Sequence, residues 1–473
     1  MTFGNRCRYL FLLFFVVVLS CGNQRSKFPT TQWRFDNNGW VLRADSNTHG
    51  YEKFFAIGAW HLPGYVFSSS KEPDSIYEKN AMLFKSKSEP FNIIFVTPGQ
   101  QKDYMADKIH AVNPFSKILH DYLDQISEIP DRRDKDYHRS QLMKKIVNDP
   151  AFEKYLKAEI TKVVEKIPND KYLYSHIDEI AIGGVSKWAV PPSMGEKITH
   201  VLKSIDNDAM VYVDLVGHGK GNTFLFEQRY LQNHDILPEN PPYELVDQGA
   251  LDCDIPLLGF YQAYNGLPVY QFNNGKYSYR MFDEETLKSI WYENIKLIAA
   301  AYKNCGDVFG INAHRDFFSL PILTGITIDA LKAGLGKGTP IWIYFDGNGY
   351  SKPKSMTPES YVKNLKCQIY TSIIHGATGI MFWNDWSKPP EVFDALLPVL
   401  EELNDKLGIL YLPTLEQIVD GDVHVMIKKE DGGKKYIIAT NTSKTEELEV
   451  NFPGIPSLRL SPMEVYISEF RFV

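Results

Sequence analysis

Residues Pro340–Asp346 read PIWIYFD, and residues Gly379–Asp385 read GIMFWND. Both are continuous apolar runs that end in an acidic residue, a pattern typical of parallel strands that are covered on both faces. Between them, Thr357 and the proline that follows can begin a helix, and Gly376 can end it. A strand, a helix and a second strand in succession predict a parallel sheet.

The same alternation extends through most of the chain. Asp149-Pro150 and Ser193 mark two more helix starts. Polar or aromatic residues follow many of the predicted strands, and no glycine-rich phosphate loop follows any of them. We therefore predict an α/β fold, a (β/α)8 TIM barrel, because the strand ends of such a barrel converge on one face. The six other predicted strands are Phe54–Trp60, Asn92–Val96, Lys108–Val112, the run that ends at Asp178-Glu179, Met210–Val216 and, as the sixth strand, Leu257–Tyr264.

The two ends of the chain differ from this pattern. After residue 410, four segments alternate apolar and polar residues and are separated by turn residues, which predicts a small antiparallel β-sandwich. Before the first barrel strand, Asn37-Asn38-Gly39 predicts a hairpin that closes the barrel floor or joins the sandwich. The predicted divisions are a signal peptide (1–21), a tether and hairpin (22–50), a catalytic barrel (51–409) and an accessory domain (410–473).

The N-terminus predicts export and lipidation. Arg6 and Arg8 precede the apolar run Tyr9–Leu19, which is too short to span a membrane and has the length of a secretory h-region. The run ends in Leu19-Ser20-Cys21-Gly22, which resembles a bacterial lipobox with Cys21 as the lipidated residue. We expect a protein of the bacterial cell envelope that is bound to a membrane through acyl chains. An ordinary signal peptide with a chance cysteine is the alternative.

Charge and cysteine content exclude other classes of protein. The net charge of −7 leaves no basic excess to neutralise phosphates, so we expect no nucleic-acid partner. Of five cysteines, only Cys253, Cys305 and Cys367 lie beyond the N-terminal segment, so the fold is not a disulfide scaffold. The 27 Tyr, 28 Phe and 8 Trp serve a core first of all, and they also suit a cleft that stacks on sugar rings.

Several of these segments together resemble a known group of enzymes. They are FFAIGAWHLPG (54–64), the strand that ends in Asp178-Glu179, GATGIMFWNDW (376–386) and LSPMEVYI (460–467). The series is similar to the (β/α)8 glycoside hydrolases of the clan that includes β-galactosidases and cellulases. The resemblance covers nearly the whole chain after the signal peptide, and it implies a carbohydrate substrate and no cofactor.

The resemblance also implies roles for two carboxylates. In that clan a glutamate that closes strand four is the acid/base, which corresponds to Glu179, and a glutamate that ends strand seven is the nucleophile. Here Asp346 occupies the second position and is one methylene shorter, and Ile180 follows Glu179 where related lipoprotein hydrolases have proline. Glycoside cleavage needs such a pair, and the neighbouring Asp178 together with burial would raise the pKa of the Glu179 carboxyl and keep its proton.

Other polar and aromatic residues at the predicted strand ends are candidates for sugar contacts: His61, Asp178, Tyr264, Asn348, Trp383 and Asp385. A purely structural role is the alternative for each of these residues. Asp346, for example, lies beside glycine and can form an Asx turn instead.

Three functions stay open on the sequence alone. The first is a lipid-anchored glycoside hydrolase that acts on a polysaccharide or its oligosaccharides. The second is a non-catalytic glycan-binding lipoprotein on a degenerate barrel. The third is a metal-dependent hydrolase, suggested by His176, Asp178 and Glu179; this spacing matches no zinc motif, so we predict no metal site.

Overall fold

The computed structural model describes residues 32–45, 48, 50–60, 89–95, 108–126, 142–167, 172–177, 180, 190–216, 268–273, 276–281, 284–312, 317–318, 320–349, 352–383 and 391–470. Its described part begins with a three-stranded antiparallel sheet of β1 (Trp33–Phe35), β2 (Val41–Asp45) and β3 (Gly50–Phe54). The turn between β1 and β2 is fixed by Asp36, whose Oδ1 accepts hydrogen bonds from the N–H groups of Asn38 and Trp40. Gly39 adopts φ +79°, which explains the glycine in this turn.

Eight parallel strands within the described residues close into a barrel, which confirms the predicted fold class. They are β4 (Ala56–Trp60), β5 (Ile93–Phe95), β6 (Ile109–Val112), β7 (Tyr172–Ser175), β8 (Val211–Val216), β11 (Val308–Asn312), β12 (Trp342–Asp346) and β13 (Gly379–Trp383). The last strand pairs with the first, and Trp383 is the Cα partner of Trp60. Between β8 and β11 the chain adds an antiparallel pair, β9 (Pro268–Asn273) and β10 (Lys276–Met281).

Seven long helices lie in the described ranges: α1 (Phe115–Ile126), α2 (Pro150–Val164), α3 (Pro192–Ile205), α4 (Glu284–Tyr302), α5 (Leu323–Leu335), α6 (Pro358–Ile374) and α7 (Glu391–Leu410). Asp149 caps α2 by accepting a hydrogen bond from the N–H of Ala151, and Thr357 caps α6 in the same way through Ser360. The predicted starts of these two helices are therefore confirmed. Helix α3 begins at Pro192, one residue before the predicted cap Ser193.

The predicted sixth strand, Leu257–Tyr264, is wrong. Strand β11 takes the sixth position, and it pairs directly with β8 from Val308 to Asn312. Residues 257–264 themselves lie outside the described residues. Strand β11 was not predicted because its sequence, VFGIN, has glycine at position 310, on the inner face, and is therefore less apolar than the other strands. The third strand, predicted as Lys108–Val112, is confirmed by β6.

The interior of the barrel is filled with large side chains. Trp342, at the start of β12, stacks on Tyr212 with 5.8 Å between ring centroids, and the Tyr212 hydroxyl donates a hydrogen bond to the carbonyl oxygen of Trp342. From below, Phe54 contacts Trp342 edge-on at 6.2 Å, and Trp33 contacts Phe54 in turn. The N-terminal sheet therefore closes the barrel floor, which was one of the two predicted positions.

The chain ends in a β domain with its own core. The four-stranded antiparallel sheet has the order β14 (Thr414–Asp420), β15 (Val423–Lys429), β16 (Lys435–Asn441), β19 (Val465–Phe470), and β17 (Leu448–Val450) pairs with β18 (Leu458–Leu460). One face of the larger sheet packs on this pair through Val425, Ala439, Val450 and Leu460. The other face joins the barrel core through Met426 and Ile438.

In the part of the chain that the structure describes, no helix is long and apolar enough to cross a membrane. Cys305 and Cys367 are buried free thiols. Burial raises the pKa of the Cys367 thiol to about 12, so it remains protonated at neutral pH.

We predict that Gly310→Ala destabilises the protein. A methyl group at this position would lie 2.0 Å from the Tyr212 hydroxyl and 2.2 Å from the Trp342 carbonyl oxygen, and the backbone atom cannot move aside. Overpacking of this kind costs about 1–3 kcal/mol or more, measured as the change in the free energy of unfolding in urea.

Gly408→Ala in α7 is the matched control, because its methyl group would meet no atom within 4 Å. It should stabilise the helix by up to about 1 kcal/mol. Equal effects of the two substitutions would contradict the packing that we describe around Gly310.

Candidate active site

The carboxyl ends of β12 and β13 bring two of the predicted site residues together. Asp346 and Trp383 are Cα partners in the pairing of these neighbouring strands. Trp383 is partly buried and packs against the side chains of the barrel interior. The rim of the barrel thus carries a carboxylate and an indole side by side, a combination that suits a sugar: the indole for the apolar face of its ring and the carboxylate for its hydroxyls.

The Asp346 side chain is 2% exposed and held by two donors. Its Oδ1 accepts a hydrogen bond from the N–H of Asn348 at 3.1 Å, and its Oδ2 accepts one from the Tyr361 hydroxyl at 2.9 Å. The first bond is an Asx turn, the structural role that the sequence left open for this residue. Gly349, at φ +77°, completes the turn. The carboxylate is therefore fixed in one orientation.

Tyr361 belongs to the first turn of α6 and was not singled out by the sequence reasoning. Its hydroxyl is 2.9 Å from Asp346 Oδ2 and 3.2 Å from the Asp346 carbonyl oxygen, so it joins the helix start to the end of β12. Its position in the sequence, four residues after the cap Thr357, could have indicated this contact. The N-terminal turn of a barrel helix lies beside the end of the strand before it. Phe318 stacks on Tyr361 with 5.1 Å between ring centroids.

The β domain reaches this stack through Lys444. Its ammonium lies 5.1 Å from the centroid of the Phe318 ring, on the path from the β domain to Tyr361. Burial lowers the pKa of Lys444 to about 8. Lys444 and Phe318 therefore support the side chain that orients Asp346, although neither is near the strand end in sequence.

A second inward carboxylate lies on β8. Asp214 is 2% exposed and lies two residues after Tyr212 on the same strand. Side chains two residues apart on a strand share a face, so Asp214 also points into the barrel. Its Cα partner on β11 is Gly310. The N–H of Ile180 donates to the Asp214 carbonyl oxygen at 3.1 Å. Asp214 lies within the predicted strand Met210–Val216, and the sequence assigned it no role.

His176 is a structural histidine. Its Nδ1 accepts a hydrogen bond from the N–H of Ile177 at 2.8 Å, so its Nε2 carries the proton and donates to the Gly195 carbonyl oxygen at 3.2 Å. Burial lowers the pKa of His176 to about 4, so the ring is neutral at physiological pH. Both nitrogens are occupied by the backbone, which leaves no lone pair for a metal ion. Within the described residues, no group of three His, Cys, Asp or Glu side chains could hold one.

The remaining predicted site residues are His61, Asp178, Glu179, Tyr264 and Asp385, and they lie outside the described residues, as does Cys21. Asn348 is described, and its backbone N–H forms the turn at Asp346. Of the predicted set, the structure thus brings Asp346, Asn348 and Trp383 together at the ends of two strands.

No protein-family model matches this sequence, and no curated protein matches it. Solved structures that it is similar to include an α-amylase from Anoxybacillus, with 10% identity, 88% of this chain and 97% of that chain covered, and a TM-score of 0.43. An α-amylase from Geobacillus thermoleovorans has 12% identity, with 88% of this chain and 98% of that chain covered and a TM-score of 0.43. A β-L-arabinopyranosidase from Geobacillus stearothermophilus has 9% identity, with 88% of this chain and 96% of that chain covered and a TM-score of 0.42. What these neighbours hydrolyse is a property of those proteins.

We predict that Tyr361→Phe lowers the free energy of unfolding by about 1.5–3 kcal/mol, the usual contribution of a hydrogen bond to a charged group. The substitution leaves the buried Asp346 Oδ2 without this donor, and urea titration measures the loss.

Tyr370→Phe on the same helix is the control. The Tyr370 hydroxyl donates to Glu402, whose carboxylate also binds Lys366 and is 33% exposed. Water and Lys366 can compensate there, so the loss should be smaller. A Tyr361→Phe loss no larger than that of Tyr370→Phe would contradict the role we give to the Tyr361 hydroxyl.

Proposed function

We propose that this protein is a lipid-anchored glycoside hydrolase that cleaves a polysaccharide or its oligosaccharides with a pair of carboxylates. The observation that carries the proposal is the fixed Asp346 carboxylate at the carboxyl end of the seventh barrel strand, beside Trp383. Active sites of (β/α)8 enzymes form at this face of the barrel. The resemblance seen in the sequence independently assigns the two carboxylates to the ends of strands four and seven.

The chemistry needs a proton donor and a second carboxylate. In the proposal Glu179 protonates the leaving oxygen, and Asp346 acts from the other side of the sugar as nucleophile or as the base for a water molecule. Two hydrogen-bond donors hold Asp346 in place, and such a fixed group needs little reorganisation during the reaction. Trp383 would stack on the sugar, and His61, Asp178, Tyr264, Asn348 and Asp385 remain proposed substrate contacts.

A non-catalytic glycan-binding protein is the second candidate function. The observation that favours it is that both Asp346 oxygens already have partners, Asn348 in the turn and Tyr361 in the helix. A carboxylate with these contacts can serve the turn alone. His176 offers no support to the metal-dependent alternative, because both of its ring nitrogens bond to the backbone. Asp178 and Glu179 lie outside the described residues.

We predict that the purified protein releases reducing sugar from at least one member of a glycan panel, and that Glu179→Gln lowers this rate about 10²–10⁴-fold. The loss should be smaller on aryl glycosides with an activated leaving group, because these need little protonation. Asp346→Asn should abolish turnover on both kinds of substrate while glycan binding persists.

Each alternative outcome has a definite meaning. Glycan binding without hydrolysis in the unsubstituted protein would support the non-catalytic function. An Asp346→Asn variant near the original rate would reduce Asp346 to its turn-forming role and make Asp214 the next carboxylate to test. Equal losses of Glu179→Gln on both substrate types would contradict its role as proton donor.

The lipid anchor is a separate part of the proposal. It rests on the short apolar segment Tyr9–Leu19 and on the small residue before Cys21. Acyl chains on Cys21 would hold the barrel at a membrane of the bacterial cell envelope, with the polar segment 23–31 as a tether.

We predict that Cys21→Ala moves the protein from the membrane fraction to the aqueous fraction of expressing bacteria, because it removes the acyl acceptor. Cys7→Ala, in the same N-terminal segment, is the matched control and should leave the protein with the membranes. Full membrane retention of the Cys21 variant would show that another feature holds the protein there.

A further inference from the structure

One lysine of the β domain is partly buried against the barrel. Lys444 lies three residues after the end of β16, and its ammonium is 5.1 Å from the centroid of the Phe318 ring. A cation over an aromatic face is attracted by the ring, and more strongly where water is excluded. Phe318 is 6% exposed, so its ring is largely shielded from water. This contact joins the β domain to the segment that follows β11.

The turn that carries Lys444 is held by hydrogen bonds within the β domain. Asn441 Oδ1 accepts a hydrogen bond from the N–H of Ser443 at 2.9 Å, and Asn441 Nδ2 donates to the carbonyl oxygen of Glu446 at 2.8 Å. The N–H of Met463 donates to the Ser443 carbonyl oxygen at 3.1 Å. The backbone on both sides of Lys444 is therefore fixed by the β domain.

Phe318 and the residue before it contact the two elements that hold Asp346. The Phe318 ring stacks on Tyr361 of α6, with 5.1 Å between the ring centroids and 26° between the ring planes. Phe317 packs on Phe345 of β12, the residue directly before Asp346, with 6.3 Å between the ring centroids. These two phenylalanines therefore contact both the helix and the strand whose relative position determines where the Asp346 carboxylate lies.

Tyr361 completes this series of contacts. Its hydroxyl donates a hydrogen bond to Asp346 Oδ2 at 2.9 Å. A hydrogen bond weakens steeply when its distance or angle departs from the preferred values. The position of the Tyr361 ring determines where its hydroxyl points, so the stack on Phe318 bears directly on the bond to Asp346.

We propose that Lys444 is a positioning residue for the Asp346 carboxylate and that it acts through Phe318 and Tyr361. We call these four residues the brace. The inference rests on the proposed function, in which Asp346 acts on a sugar. It makes the β domain, which the sequence predicted as an accessory domain, a part of the catalytic unit.

The first measurement is the hydrolysis rate of Lys444→Met, which keeps an apolar stem and removes the ammonium. Its kcat should fall about tenfold, because a small misplacement of a reacting group costs up to about 10²-fold in rate. Its KM should change less than about twofold, because a positioning residue does not contact the substrate. Lys444→Arg should retain most of the rate, since a guanidinium also stacks on aromatic rings.

Three results of this measurement would overturn the proposal. The first is an unchanged kcat with a raised KM, which is the effect of a residue that contacts the substrate. The second is a Lys444→Met rate equal to that of the unsubstituted protein. The third is a Lys444→Arg variant as slow as Lys444→Met, which would show that the charge on the ring is not the cause.

The second measurement does not require activity, so it separates failure of this inference from failure of the proposed function. Urea unfolding constants are compared for the unsubstituted protein, Lys444→Met, Tyr361→Phe and the double variant. If Lys444 holds the Tyr361 hydroxyl on Asp346, Tyr361→Phe should change the unfolding constant about fivefold less when Lys444 is already replaced, as expected for residues coupled in one network.

The outcomes of this cycle are distinct. Equal effects of Tyr361→Phe in the two backgrounds would overturn the proposal even if the protein is a hydrolase. A coupled cycle in a protein that hydrolyses no glycan would support the positioning role and contradict the proposed function.

Lys296→Met is the matched control. The Lys296 ammonium lies over the ring of Tyr292 on the same helix, α4, at 5.8 Å, and the side chain is 40% exposed. This variant should keep the original kcat, and its effect on unfolding should add to that of Tyr361→Phe. Coupling between Lys296 and Tyr361 as large as that of Lys444 would overturn the proposal.

Phe318→Leu tests the same brace from the barrel side and replaces Lys444→Met if that variant does not fold. It removes the ring that lies between the ammonium and Tyr361. It should reproduce both the loss of kcat and the coupling to Tyr361→Phe. A Phe318→Leu variant with the original kcat would overturn the proposal.

Discussion

The packing of Trp342 inside the barrel is the contact on which the rest of the structure depends. A closed barrel has an interior that must be filled by side chains, and here one indole contacts both the strands and the floor. It stacks on Tyr212 of the fifth strand, contacts Phe54 of the N-terminal sheet and lies against Gly379 of the eighth strand. Where two large rings fill the barrel interior, the residues that face them from neighbouring strands must be small. This is why glycine occupies positions 310 and 379.

The same strand carries the candidate carboxylate. Trp342 fixes the start of β12 in the barrel floor, and Asp346 closes the other end at the rim. The Asp346 side chain is then oriented by a turn of its own chain and by the hydroxyl of Tyr361. A carboxylate fixed from both sides costs little to organise for catalysis, but the same contacts would also be useful in a protein that only binds sugar. The barrel therefore places the group, and its chemistry depends on what approaches it.

The β domain is part of this arrangement. Its sheet shares a core with the barrel through Met426 and Ile438 of the face opposite β17 and β18. Lys444 lies over Phe318, which stacks on Tyr361, and His424 reaches His375 at the end of the same helix. Helix α6 thus carries Tyr361, which binds Asp346, near its start, and His375, which contacts the β domain, follows its last residue.

The sequence by itself determined the barrel, seven of its eight strands and the capped starts of α2 and α6. These features depend on neighbouring residues: apolar runs of strand length, and Asp149 or Thr357 followed by proline. The sixth strand was missed because Gly310 is explained only by the rings that fill the space in front of it. Tyr361, Asp214, His375 and His424 carry no local pattern, since the partners named for them here lie 15 to 49 residues away in the sequence. Only the tertiary structure decided these contacts, because hydrogen-bond partners and burial are set by which elements meet in space.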